Sequence, residues 1–396
     1  MTRPWLTIIG MGEDGPEGLT DASRQALAQA RLVFGGARHL ALAKIGDRGR
    51  PWPVPFDISQ VLACKPDPVV VLASGDPFWF GVGGTLTAHL APEEWQVFPA
   101  AGCFSLAAAR LGWRLETTRC MGLHAAEFAR LRPFLARKCR ILATLRDGAT
   151  PARLADWLVT QGMGRMELAV LERLGGPSER IRWTRADRFD LTDIQAPVAV
   201  ALRGDHLPRG EGLPNAPGRP DEYFTQDGQI TRAPIRAISL AALAPRPGEL
   251  LWDIGGGSGA ISVEWALAGG RAICIEPRED RTDNIRQNIA SFGLCDAINC
   301  LQGAAPAALE GLPEPDAVFV GGGASAALLD MLWGLMPAGA RLVCNAVTLE
   351  TEALLIAHHA DLGGDLTRIQ LSAVAPLGRM RGWQTARAVT QWSVTR

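Results

Sequence analysis

Lysine is almost missing from this 396-residue chain, occurring only at Lys44, Lys65 and Lys138. Nearly all the positive charge is therefore arginine, a planar donor suited to bidentate pairing with carboxylates and phosphates; coding bias explains the same excess without a ligand. A net charge is missing too: 40 basic against 41 acidic residues leave -1, so no global field draws nucleic acid or an anionic membrane. Any anionic ligand must be held by local clusters. No apolar run approaches the roughly 18 residues that span a bilayer, and the apolar part of the opening MTRPWLTIIGMGEDG is short for a signal peptide. The expectation is a soluble, cytoplasmic protein. Eight cysteines form no C-x-x-C pair and mostly lie in runs such as RAICIE and RLVCNAV, as reduced core thiols would. His358 and His359 are adjacent and would point about 100° apart on a helix, so no metal site is expected.

What is present is length enough for two or three domains at roughly 150 residues each. Prolines and glycines in GDHLPRGEGLPNAPGRP mark the best boundary, giving domains at 1–205 and 221–396 with a linker over 206–220. On both sides short apolar β-rich runs alternate with Ala- and Leu-rich stretches, the pattern of α/β domains with largely parallel sheets. Strands are expected near 5–10, 31–34, 69–73, 95–98, 140–145, 168–172 and 197–202, then at 249–254, 271–276, 316–320 and 340–346. Helices are expected over 20–30, with its Thr-Asp start, and 233–243. The alternating segments 366–373 and 386–394 predict antiparallel edge strands.

The strongest local pattern is LLWDIGGGSGAISVEWAL at 250–267: a strand, Asp253, then Gly255, Gly256, Gly257 and Gly259, then a helix. Glycines suit a sharp turn whose backbone must approach a ligand closely. Glu276 ends the next strand, where a carboxylate can bind both ribose hydroxyls. An acid precedes the first glycine in D-x-G-x-G-x-G, unlike the usual hydride-transfer fingerprint, and suits a cationic sulfonium cofactor. The segment resembles motif I of class I S-adenosylmethionine methyltransferases, which implies cofactor contacts from Asp253, Gly255, Gly257, Gly259 and Glu276. At Gly303-Ala304 that family usually has an acid facing adenine, so backbone recognition is the expectation here. DAVFVGGG at 316–323 lacks the Asn/Asp-Pro-Pro-aromatic sequence that would hold a base amine, which disfavours nucleic acid as substrate.

The first half has WLTIIGMGEDG with Gly10 and Gly12, then VVVLASGDPFWFG with Gly75 and Asp76, FPAAGCFSLAAA with Ala101 to Ser105, and LAVLERLGGPSERI. Neither a G-x-G-x-x-G nor a P-loop ending is present. In this order the four segments resemble the tetrapyrrole methylases, or class III S-adenosylmethionine methyltransferases. That resemblance implies a two-lobed α/β domain in which Gly10, Gly12, Gly75, Asp76, Ala101 and Ser105 border cofactor or macrocycle. The fusion of this domain to a Rossmann-like class I domain resembles the decarboxylating precorrin methyltransferases of cobalamin synthesis. It implies one S-adenosylmethionine per domain, methylation at carbons 5 and 15 of a precorrin-6 macrocycle, and loss of carbon dioxide from the ring C acetate to give precorrin-8. It also implies a homo-oligomer, with neighbouring pathway enzymes as candidate partners and neither nucleic acid nor membrane. The substrate is a polycarboxylate, so Arg232, Arg236, Arg379 and Arg381 are candidates to hold it. Two readings stand beside this one: a nucleic-acid methyltransferase, and a non-catalytic tetrapyrrole-binding scaffold.

Overall fold

The structure, a computed structural model, describes residues 4–396. They form two compact units, the first ending its two stretches at Phe128 and Glu211, the second comprising Ala129–Pro133 and Gly212–Arg396. No described helix is long and apolar enough to cross a membrane.

The first unit has two sheets. One is parallel throughout, with β1 (Leu6–Met11), β2 (Val33–Gly35), β3 (Gly49–Pro51), β4 (Val69–Ser74) and β5 (Trp95–Phe98) in the order β3-β2-β4-β1-β5. Its central strands are covered on both faces, which is why LTIIGM and VVVLA read as unbroken apolar runs. The helix Asp21–Gln29 starts where Thr20 accepts the Ser23 N–H at 3.2 Å. The other sheet is mixed, with β6 (Arg119–Gly122), β7 (Arg140–Thr144), β8 (Glu167–Glu172), β9 (Arg180–Arg185) and β10 (Val198–Arg203) in the order β6-β7-β10-β8-β9. β3, β6 and β9 lie at sheet edges, and their sequences GRP, RCMG and RIRWTR carry no apolar run to betray them.

The second unit is built on β11 (Leu250–Ile254), β12 (Arg271–Glu276), β13 (Ile298–Gln302), β14 (Ala317–Val320), β15 (Arg341–Ala346), β16 (Asp365–Ile369), the hairpin β17 (Ser372–Leu377) and β18 (Met380–Thr385), and β19 (Val389–Thr395). The main sheet runs β13-β12-β11-β14-β15-β19-β16, parallel up to β15 and antiparallel beyond. Strand order reverses between β11 and β14, which opens a crevice at their carboxyl ends. Trp265 and Trp392, both fully buried, fill the cores on opposite faces. The late strands differ from expectation in two respects. β19 is interior, between β15 and β16, and 366–373 spans parts of two strands, because the chain leaves the sheet after Ile369 to make the separate hairpin. The stretch 206–220 has no helix or extended strand, yet its end is built into the second unit: the Gly218 and Arg219 N–H groups donate to Glu264 at 2.7 and 3.0 Å.

Of the cysteines, Cys274 and Cys344 are buried as core thiols, whereas Cys295 is exposed.

Candidate functional site

In the second unit, the loop between β11 and the helix Ala260–Leu267 forms one wall of a cleft of about 830 Å³. Gly255, Gly256 and Gly257 border it directly, as do Glu276, Gly303 and Ala304. Gly257 has φ 59°, and a Cβ there would meet the Gln229 carbonyl at 3.1 Å, so the loop and the segment around Gln229 and Thr231 close on the same space. Glu276 accepts the Gly257 N–H at 2.9 Å and the Arg278 N–H at 3.2 Å, which fixes a carboxylate at the cleft edge.

Two expected cofactor contacts face inward instead. Asp253 is 1% exposed, and its Oδ2 accepts the Ser262 N–H at 3.1 Å and hydroxyl at 2.6 Å. Burial pushes its carboxyl up to about 6, against the lowering effect of the Ser262 hydrogen bonds. Asp253 thus anchors the loop to the following helix. Gly259 packs against Ile285, whose Cγ2 would lie 3.1 Å from an added Cβ. The motif locates the turn but does not say which side of it each residue presents.

The four candidate arginines separate in the same way. Arg232, at the start of the helix Ala233–Leu243, borders the cleft and pairs with Asp221 at 3.3 Å. Arg236 is fully buried; it donates to Glu264 at 2.6 Å and to Asp221 at 3.1 Å, and caps the Thr231 and Arg219 carbonyls. Its guanidinium is spent inside the unit, so it holds the fold and not a substrate carboxylate. Arg379 and Arg381 lie on the exposed hairpin, outside the cleft lining. Two arginines that no motif marked do border the cleft: Arg281, paired with Asp227 at 3.0 Å, and Arg387. Asn345, at the end of β15, also lines it. Glu350 is exposed and outside the lining.

In the first unit a cleft of about 320 Å³ lies where β1, β4 and β5 end, lined by Gly12, Gly75, Asp76, Ala101 and Ser105. A Cβ on Gly10 would lie 2.0 Å from the Gly75 carbonyl, and one on Gly75, at φ 59°, 2.7 Å from Gly102 Cα. These backbones stack directly, which only glycine allows. Gly10 itself faces a neighbouring cavity of about 300 Å³ and not the main cleft. Asp76 Oδ1 accepts the Phe78 N–H at 2.8 Å, shaping the turn before the aromatic Phe78, Trp79 and Phe80. Phe80 is held at φ 55° and borders the cleft with Trp79. Arg38 and His124, unmarked in the sequence, reach the same space; burial, then the charge of Arg173, lowers the Arg38 pKa, and Glu13 pairs with it. Burial pushes the Cys103 thiol up to about 11, which makes it a poor nucleophile.

Residues 5–190 match the family of tetrapyrrole (corrin/porphyrin) methylases, and residues 222–396 the precorrin methyltransferase domain. Over 403 residues the chain is 46% identical to the precorrin-6Y C(5,15)-methyltransferase [decarboxylating] of Sinorhizobium sp, covering 100% of this chain and 97% of that one. The chain belongs to the precorrin-6Y C(5,15)-methyltransferase (decarboxylating) family. The member from Mycobacterium tuberculosis (strain ATCC 25618 / H37Rv) is 38% identical over 406 residues, with 99% of this chain and 100% of that one covered. The crystal structure of the C-terminal domain of precorrin-6Y C5,15-methyltransferase from Rhodobacter capsulatus is 59% identical, covering 46% of this chain and 100% of that one, with a TM-score of 0.46. Members of this family are S-adenosylmethionine-dependent methyltransferases, and the second cleft offers such a cofactor the bare glycine backbone of Gly255 to Gly257, held close against Gly322 and the Gln229 carbonyl, with the Glu276 carboxylate at its edge.

Proposed function

We propose that this chain methylates carbon 5 and carbon 15 of a precorrin-6 macrocycle and removes carbon dioxide from the ring C acetate, giving precorrin-8 in cobalamin synthesis. The first unit carries the carbon 5 reaction; the second carries carbon 15 methylation and decarboxylation. Each binds its own S-adenosylmethionine. The observation that carries this reading is that each unit has a separate glycine-lined cleft at the carboxyl ends of its parallel strands.

S-adenosylmethionine supplies an electrophilic methyl group on a good leaving group. The protein's own task is then alignment, exclusion of water and neutralisation of carboxylates. In the second unit Gly255, Gly257, Gly303 and Ala304 give the cofactor backbone to lie against, Glu276 holds the ribose, and Arg232 and Arg387 face the macrocycle's carboxylates. In the first unit Gly12, Gly75, Asp76, Ala101 and Ser105 border the cofactor, and Arg38 stands on the same cleft for substrate carboxylates. For decarboxylation the conjugated macrocycle accepts the electron pair, as a cofactor otherwise would.

The hairpin leaves Val374, Leu377, Met380 and Trp383 exposed, and we read the protein as a cytoplasmic homo-oligomer, checked by sedimentation equilibrium. The activity is tested by one incubation with methyl-labelled cofactor and precorrin-6 substrate. Mass spectrometry should show two labelled methyl groups gained and one carbon dioxide lost. Substrate bound without label transferred would instead make the chain a scaffold, and label passing to RNA or DNA would make it a nucleic-acid enzyme.

A further inference from the structure

Asn345 lies at the carboxyl end of β15, opposite Gln391 of β19 in the antiparallel register, and borders the second unit's cleft. Behind it are Ser239, fully buried, and Gln391, 4% exposed. The three side chains form a closed triangle. Asn345 Nδ2 is 2.9 Å from Ser239 Oγ, and Gln391 Nε2 is 2.8 Å from that oxygen and 2.9 Å from Asn345 Oδ1. Proton counting fixes the amide orientations. Turning one amide alone would set two nitrogens or two oxygens face to face 2.9 Å apart, and turning both would put two oxygens on Ser239, whose single hydroxyl hydrogen serves only one of them. With the nitrogens facing Ser239, Gln391 spends both N–H groups within the triangle, while Asn345 spends its oxygen and one N–H. One N–H of Asn345 remains over, on the residue that borders the cleft.

We propose that this N–H holds the acetate carboxylate that leaves as carbon dioxide, so that Asn345 is a catalytic residue of the decarboxylation and Ser239 and Gln391 are its positioning residues. The proposal rests on decarboxylation belonging to the second unit. In the step, the bond between the acetate methylene and its carboxylate breaks and the electron pair passes into the conjugated macrocycle. Carbon dioxide leaves, and the methylene takes a proton from water to become a methyl group. The breaking bond must stand out of the macrocycle plane to overlap its π-system, so the carboxylate has to be aimed. A guanidinium would aim it but would also stabilise a charge that disappears on the way to the transition state, raising the barrier. A single neutral donor, locked by buried partners, orients the carboxylate at lower cost.

The test uses the full chain with methyl-labelled S-adenosylmethionine and precorrin-6 substrate, read by mass spectrometry, for Asn345→Asp and the uncharged Asn345→Leu. Calorimetric cofactor binding confirms that each variant is folded. Carbon 5 methylation should be unchanged and carbon 15 methylation nearly so. Carbon dioxide loss should fall about tenfold or more, the cost of a breaking bond no longer aimed at the π-system, so that a doubly methylated but still carboxylated product accumulates. Gln391→Leu should lower the rate constant of carbon dioxide loss and leave the KM for cofactor unmoved. Wild-type carbon dioxide loss in both Asn345 variants, or a parallel fall in carbon 15 methylation, would overturn the proposal. Carbon dioxide loss that survives destruction of the second unit's glycine loop would overturn the domain assignment as well, and so separates the two failures.

Discussion

Gly256 is the position where the loop's need for glycine is most local. A Cβ there would lie 2.2 Å from Cys274 Sγ, while the next nearest atoms are 3.6 and 3.8 Å away, so the sulfur alone is the obstacle. Gly256→Ala should destabilise the protein by roughly 1–3 kcal/mol, as overpacking does, and Cys274→Ala in the same chain should restore most of it. Thermal melts of the two variants and the double variant check this, and a double variant no more stable than Gly256→Ala refutes it. Asp253 makes a pH prediction. Its carboxyl is raised from 3.8 to about 6, so between those values the folded protein binds a proton that the unfolded chain does not. Stability from this group is greatest at low pH and declines as pH rises from about 4 to 6, by at most about 3 kcal/mol. Asp253→Asn keeps an acceptor for Ser262 and should flatten that part of the curve, measured by denaturant titration at each pH. An unchanged slope would assign it to other groups. The D-x-G-x-G-x-G pattern thus announced the glycine turn and its acid, but Asp253 and Gly259 turned out to support the loop from beneath. A one-dimensional pattern reports where backbone conformation is demanding and is silent on which side of the chain faces the ligand.

The helix Ala233–Leu243 shows the same limit at the scale of an element. Its 233–243 span was readable from residue type, yet Arg232 at its start opens on the cleft while Arg236, one turn on, is enclosed by Glu264, Asp221 and two carbonyls. Arg236→Ala leaves Glu264 buried with less compensation and should cost about 3–5 kcal/mol, visible as a lower midpoint of unfolding, with no change in substrate KM below that midpoint. Arg232→Ala should do the opposite, raising substrate KM with little change in stability. The reverse pattern would restore Arg236 as the substrate contact. Arginine role is poorly legible because its long side chain can be solvated, paired internally or offered to a ligand from the same sequence context. Arg38, Arg281 and Arg387 were missed for that reason. Strands were legible when both faces are covered, as in β4 and β11; of the edge strands, β5 kept an apolar WQVF and was read, whereas β3, β6 and β9, with little apolar content, were not.

For the whole molecule, the near absence of lysine and of net charge takes on a definite sense. The clefts carry a few arginines, Arg38 in one unit and Arg232, Arg281 and Arg387 in the other, within a chain whose overall charge is -1. That arrangement suits a polycarboxylate macrocycle, which needs a few placed cations, and not a polyanion, which needs a field. The pairing of two α/β units was readable from the order of their glycine-rich segments, whereas the burial of the linker's end depended on Glu264, a residue some 45 positions away from Arg219. The central claim is that one chain holds two independent methyl-transfer centres, with decarboxylation tied to the second. Gly257 has φ 59° and borders only the second cleft, so an arginine side chain there blocks that cleft alone. The decisive measurement is the mass of the product made by Gly257→Arg from precorrin-6 substrate and methyl-labelled cofactor. The account predicts a product with one labelled methyl group, at carbon 5, and its ring C carboxylate intact; loss of carbon 5 methylation with carbon 15 methylation retained, or undiminished release of carbon dioxide, would contradict it.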